Sequence, residues 1–177
     1  MLIRITDFGS VDARKLMDVY AESNSENTSY FCPEELDREK AVRIVEEGFL
    51  NYLKNEFLAS PGNALWVLEK NGIWVSALRT YLVSERLYFL EALETRPDSR
   101  ERGYGSELLS AVISALKETG SFRLCDYVHK ANLASIRTHE RCGFAKVSEE
   151  GYDYLQGETV PGSYGMEYAY PDKTDLL

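Results

Sequence analysis

Residues 100–106 read Arg-Glu-Arg-Gly-Tyr-Gly-Ser, and residue types in that order can hold an anion. Gly103 and Gly105 let backbone N–H groups come within hydrogen-bond reach of a phosphate that a Cβ would obstruct. The first N–H groups of a helix point outward with partial positive charge, so a strand-to-helix turn placed here would be an anion site. Arg100 and Arg102 would add charge-assisted bonds. Two other phosphate motifs are excluded. A dinucleotide fingerprint wants a third Gly or Ala where Leu108 stands, and a P-loop wants Lys and then Ser or Thr after its last glycine. Taken alone, a Gly-x-Gly turn serves chain reversal as readily as binding.

The loop can bind only if a strand delivers it and a helix follows. Residues 87–94 have strand character, and Leu108, Leu109, Val112, Ile113 and Leu116 recur at helical period up to Gly120, a C-cap. Upstream, residues 64–68 and 73–83 are apolar and β-favouring on either side of Asn71-Gly72, the strongest short hairpin signal. Residues 2–5 form a first strand. Ser10 and Asp12 can cap a helix, and Pro33, Glu34 and Glu35 read as the first turn of a longer one that runs to Pro61-Gly62. After the loop's helix come a strand over 123–128, a helix that Asn132 caps and Gly143 ends, and strands near 145–148 and 164–169. This order predicts one α/β domain over residues 1–177, a mixed sheet with helices on both faces.

In this frame, Thr95, Pro97, Arg100, Arg102, Gly103 and Gly105, followed by an apolar helix, resemble the pyrophosphate-binding motif of the GNAT acetyltransferases. Asn132, Ser135, Ile136, His139, Glu140, Gly143 and Phe144 resemble that family's second cofactor motif. The resemblance covers residues 73–144 well and the N-terminal helices by element order only. It implies a mostly antiparallel sheet splayed open at the cofactor site, with acetyl-CoA as co-substrate and no metal. The backbone at Leu93 and Thr95 would meet the pantetheine arm and the oxyanion. Arg100, Arg102 and the N–H groups of Gly103, Tyr104, Gly105 and Ser106 would hold the pyrophosphate, and Asn132 and Ser135 would touch the arm.

The implied reaction is attack of an amine on a thioester. An alkyl amine titrates near ~10, so a carboxylate, usually through water, must help to free its lone pair. Leu90-Glu91 resembles the Leu-Glu pair that carries the proposed base in diamine acetyltransferases. Glu94 is the second candidate, expected on the opposite face by regular strand alternation. His139 stands where most of the family has a tyrosine that protonates the departing thiolate. Imidazolium, with a reference pKa of ~6.5 against ~8.5 for a thiol, is an adequate donor, and otherwise Tyr127 or Tyr104 takes that role. Cys142 reads as core, which favours direct transfer over a covalent enzyme intermediate.

Composition limits the partners. There are 20 Lys and Arg against 29 Asp and Glu, a net charge of −9, which repels nucleic acid and anionic membranes. No apolar run reaches the ~20 residues of a membrane helix, and no signal pattern opens the chain, so a cytoplasmic protein is expected. Cys32, Cys125 and Cys142 lack the paired spacing of a zinc site. The expected activity is N-acetylation of a small primary amine such as an amino acid or polyamine. A non-catalytic acyl-CoA sensor and a protein N-terminal or lysine acetyltransferase are the alternatives. Tyr152, Tyr154 and Tyr164 could serve a homodimer interface.

Overall fold

A computed structural model describes residues 1–171. Seven strands form one sheet in the order β1 (Leu2–Ile5), β2 (Ala64–Lys70), β3 (Ile73–Ser84), β4 (Leu87–Thr95), β5 (Phe122–His129), β9 (Ser163–Tyr170) and β6 (Ala145–Ser148). Every pairing in it is antiparallel except β4 with β5. The remaining two strands, β7 (Gly151–Asp153) and β8 (Glu158–Val160), pair as a separate hairpin that the sequence reading did not contain.

The apolar run of β2 explains how the layers assemble. Ala64, Trp66 and Leu68 point into one core, and Leu65 and Val67 into another. With both faces covered, every position favours an apolar residue. The first core lies under α4 (Tyr104–Lys117), whose Leu108, Leu109, Val112, Ile113 and Leu116 are all buried, and under α5 (Leu133–Arg141). The second lies under α1 (Ala13–Val19) and the π-helical turn Leu53–Phe57 that follows α3 (Arg38–Tyr52), where Leu16, Val19, Tyr20, Leu53 and Phe57 are buried. The Asn71-Gly72 turn forms as predicted, both residues having positive φ, 53° and 79°.

The N-terminal helices differ from the sequence reading in two respects. Asp12 caps α1, accepting from the Lys15 N–H at 3.1 Å. A further helix, α2 (Ala21–Phe31), follows almost at once; its composition is polar and only Asn24 is buried, so no apolar stripe marked it. The longer helix starts at Arg38 instead of Pro33, because Asp37 accepts from the Lys40 N–H at 3.1 Å and caps it there. Among the described residues no helix is long and apolar enough to cross a membrane.

Candidate active site

β4 and β5 pair only from Leu87 to Phe89 against Arg123 to Cys125, and beyond that point they diverge. The gap opens into a cavity of about 950 Å³. Leu93, Glu94 and Thr95 line it from β4, Asp126 to His129 from β5, and Asn132, Ser135 and Thr138 from the start and middle of α5. The 100–106 loop closes one end, with Arg100, Gly103, Tyr104, Gly105 and Ser106 in the wall, and α2 contributes Glu22, Ser23 and Glu26.

The loop is shaped to accept an anion. Gly103 is the residue before α4, with φ 77°, and no side chain caps the helix. The helix's own ladder begins with the Glu107 N–H bonded to the Gly103 carbonyl at 2.9 Å. The N–H groups of Tyr104, Gly105 and Ser106 therefore have no acceptor inside the helix and open on the cavity. A Cβ on Gly103 would meet no atom within 4 Å, so the space beside it is open to a ligand. Arg100 pairs with Glu22 and places Nε 3.4 Å from the Thr95 carbonyl. Arg102 is exposed and outside the cavity wall.

At Ala92, with φ 53°, β4 carries a bulge that changes the geometry of the two carboxylates. Glu91 pairs with Arg79 and Glu94 with Ala77. Positions three apart on β4 therefore face positions two apart on β3, and Glu94 shares the face of Glu91. This corrects the expectation of opposite faces, which assumed a strand without a bulge. The hydroxyl of Tyr20 donates to the Ala92 carbonyl at 2.9 Å and holds the bulge from the side of the helices. Glu94 lines the cavity, and burial pushes its pKa up against the opposing effects of Ser23 and Arg100. Glu91 does not line it. Its Oε2 accepts from Arg79 at 2.9 Å and from the Tyr81 hydroxyl at 2.7 Å, while Phe49, Tyr52 and Phe57 surround the guanidinium.

His139 is fully buried and outside the cavity wall. Its Nδ1 donates to the Ser135 carbonyl at 2.8 Å. Nε2 lies 2.8 Å from Asp126 Oδ2, in a contact too bent to count as a hydrogen bond. Burial opposes charge on the ring, but the Asp126 carboxylate and the Ser135 carbonyl outweigh it, and the pKa of His139 rises. Burial raises that of Asp126 as well. Asp126 was not singled out in the sequence; a lone acid inside the apolar run of β5 was the available signal. Asn132 caps α5, accepting from the Ser135 N–H at 3.0 Å.

No thiol lines the cavity among the described residues. Cys142 bonds to the Ser106 carbonyl and Ser110, and burial pushes the Cys125 thiol up to about 11. Among the described residues no group of three acidic, His or Cys side chains is arranged to hold a metal ion.

The model of the Acetyltransferase (GNAT) family matches residues 16–144. Solved structures share the fold at low identity. The PaiA N-acetyltransferase of Thermoplasma acidophilum, in complex with coenzyme A, is 16% identical with a TM-score of 0.64, over 96% of this chain and 99% of that one. The ribosomal-protein-S18-alanine N-acetyltransferase of Escherichia coli is 22% identical with a TM-score of 0.56, over 75% of this chain and 81% of that one. A phosphinothricin acetyltransferase of Sinorhizobium meliloti, in complex with AcCoA, is 16% identical with a TM-score of 0.58, over 96% and 87%. A comparison with curated protein sequences gives no match.

Proposed function

The chain belongs to the GNAT acetyltransferase family, and we propose that it moves an acetyl group from acetyl-CoA to a primary amine of a small molecule, an amino acid, polyamine or similar, by direct transfer in a ternary complex. The observation that carries this reading is a single cavity that runs from an uncapped helix N-terminus into a split in the sheet, with a half-buried carboxylate, Glu94, in its wall. The N–H groups of Tyr104 to Ser106 grip the pyrophosphate, with Arg100 beside them. Bound there, acetyl-CoA supplies an activated thioester. Leu93 and Thr95 orient the arm along β4 and offer backbone N–H groups to the oxyanion, and Asn132 and Ser135 meet it from α5.

Glu94 is the better-placed base. It lines the cavity, and its raised pKa suits proton removal nearer neutral pH. Glu91, the first candidate in the sequence, is bound to Arg79 and Tyr81 and serves to hold that buried arginine. Direct transfer is supported by the absence of a thiol from the described cavity wall.

The test is CoA release from acetyl-CoA with a panel of small amines. Turnover with at least one is expected. Thermal stabilisation by CoA without any turnover would identify an acyl-CoA sensor instead, and faster turnover of peptide amines than of small ones would make the acceptor a protein.

A further inference from the structure

Alternate residues of β5 face α4 and α5, and Leu124 and Val128 in that row are core. Between them stands Asp126, an acid with a side chain 12% exposed. A carboxylate in an apolar row costs stability unless a specific partner offsets it. Its partner is the His139 ring, which is sealed from solvent beneath it.

The ring geometry fixes where a proton lies. Nδ1 carries a hydrogen, because it sits 2.8 Å from a carbonyl that can only accept. Nε2 is 2.8 Å from Asp126 Oδ2, and two lone pairs at that distance would repel. One proton is therefore carried by one or the other of these two atoms, although the contact between them is bent. Of the two residues, only Asp126 lines the cavity. It directly follows Cys125, the last residue of β5 still paired with β4, and so sits at the closed end of the split.

We propose that Asp126 and His139 are a proton-sharing pair in which Asp126, the member exposed to the cavity, protonates the sulfur that leaves when the acetyl group is transferred. The inference rests on the acetyl-transfer reading above. As the C–S bond of the thioester breaks, the O–H bond of the Asp126 carboxyl breaks and an S–H bond forms. The negative charge passes from sulfur to the carboxylate, His139 stays neutral, and solvent reaching the open cavity returns the proton. A donor that reaches sulfur through a carboxylate explains how a short imidazole buried below the cavity wall can take part at all.

The chain has two histidines, so the ring nitrogens of His139 are readily assigned in long-range ¹H–¹⁵N spectra. In the unmodified protein, CoA should shift the His139 ring signals and desulfo-CoA should leave them in place. Asp126→Asn should abolish the CoA-dependent shift and lower kcat by roughly 10²-fold, with CoA affinity within about twofold. Ring signals that ignore CoA despite saturation, or that move equally with desulfo-CoA, would overturn the pair's placement at the sulfur. Full turnover by Asp126→Asn would overturn its role. If the unmodified protein turned over no amine, acetyl transfer would fail, while the CoA and desulfo-CoA comparison would still decide the contact.

Discussion

At the scale of single residues, the two glutamates of β4 divide between chemistry and structure. The base must lose its proton to act, so a raised pKa moves the acid limb of the rate profile upward. kcat should rise with pH through a limb above the ordinary Glu range of ~4.3, set by burial of Glu94, with the Glu22 carboxylate acting in the same direction, against the opposing effects of Ser23, Arg100 and Arg79. Glu94→Gln should remove that limb and lower kcat about 10²-fold. Glu91→Gln should keep kcat within a few-fold but lose about 1–3 kcal/mol in denaturant unfolding, because Arg79, 13% exposed, would keep its charge without its carboxylate. The reverse pattern in the two variants would exchange their roles. The sequence could name both carboxylates but not rank them, because the bulge that turns them to one face depends on a hydroxyl 72 residues away along the chain. Asp126 was illegible for a related reason: its meaning comes from a histidine on another element.

Among the elements, the hairpin, the loop and the two helices that follow it were legible because each is encoded locally. Asn71-Gly72 sets its own turn, Asn132 its own cap, and the spacing of Leu108 to Leu116 its own buried face. α2 was not legible, since a polar helix that forms a cavity wall has no apolar period to read. Two substitutions probe how these elements support the site. Tyr20→Phe leaves the half-buried Ala92 carbonyl without its donor and should cost about 1 kcal/mol in denaturant unfolding. It should also lower kcat several-fold, with the KM for acetyl-CoA unchanged, as Glu94 loses its register. An unchanged kcat would mean that the bulge holds without Tyr20. Asn132→Ala removes a cap and should cost about 1 kcal/mol, together with a weaker hold on CoA, since the same side chain borders the cavity; a stability loss with unaltered CoA affinity would restrict Asn132 to capping.

For the molecule as a whole, among the described residues the interior of the sheet opens at the wedge between β4 and β5. Net charge of −9 would disfavour an anionic ligand at long range, so short-range donors at the α4 N-terminus must supply the grip. The acidic side chains Glu22 and Glu26 of α2 border the same cavity, and Glu22 occupies Arg100. The most direct measurement is a titration of ¹⁵N-labelled protein with CoA, following the backbone amides of Tyr104, Gly105 and Ser106. Large, saturable shifts at these three amides, with smaller ones along Leu93 to Thr95, are expected. Binding that leaves the three amides unmoved, or no binding at millimolar CoA, would contradict a diphosphate held at this helix and with it the proposed acetyl transfer.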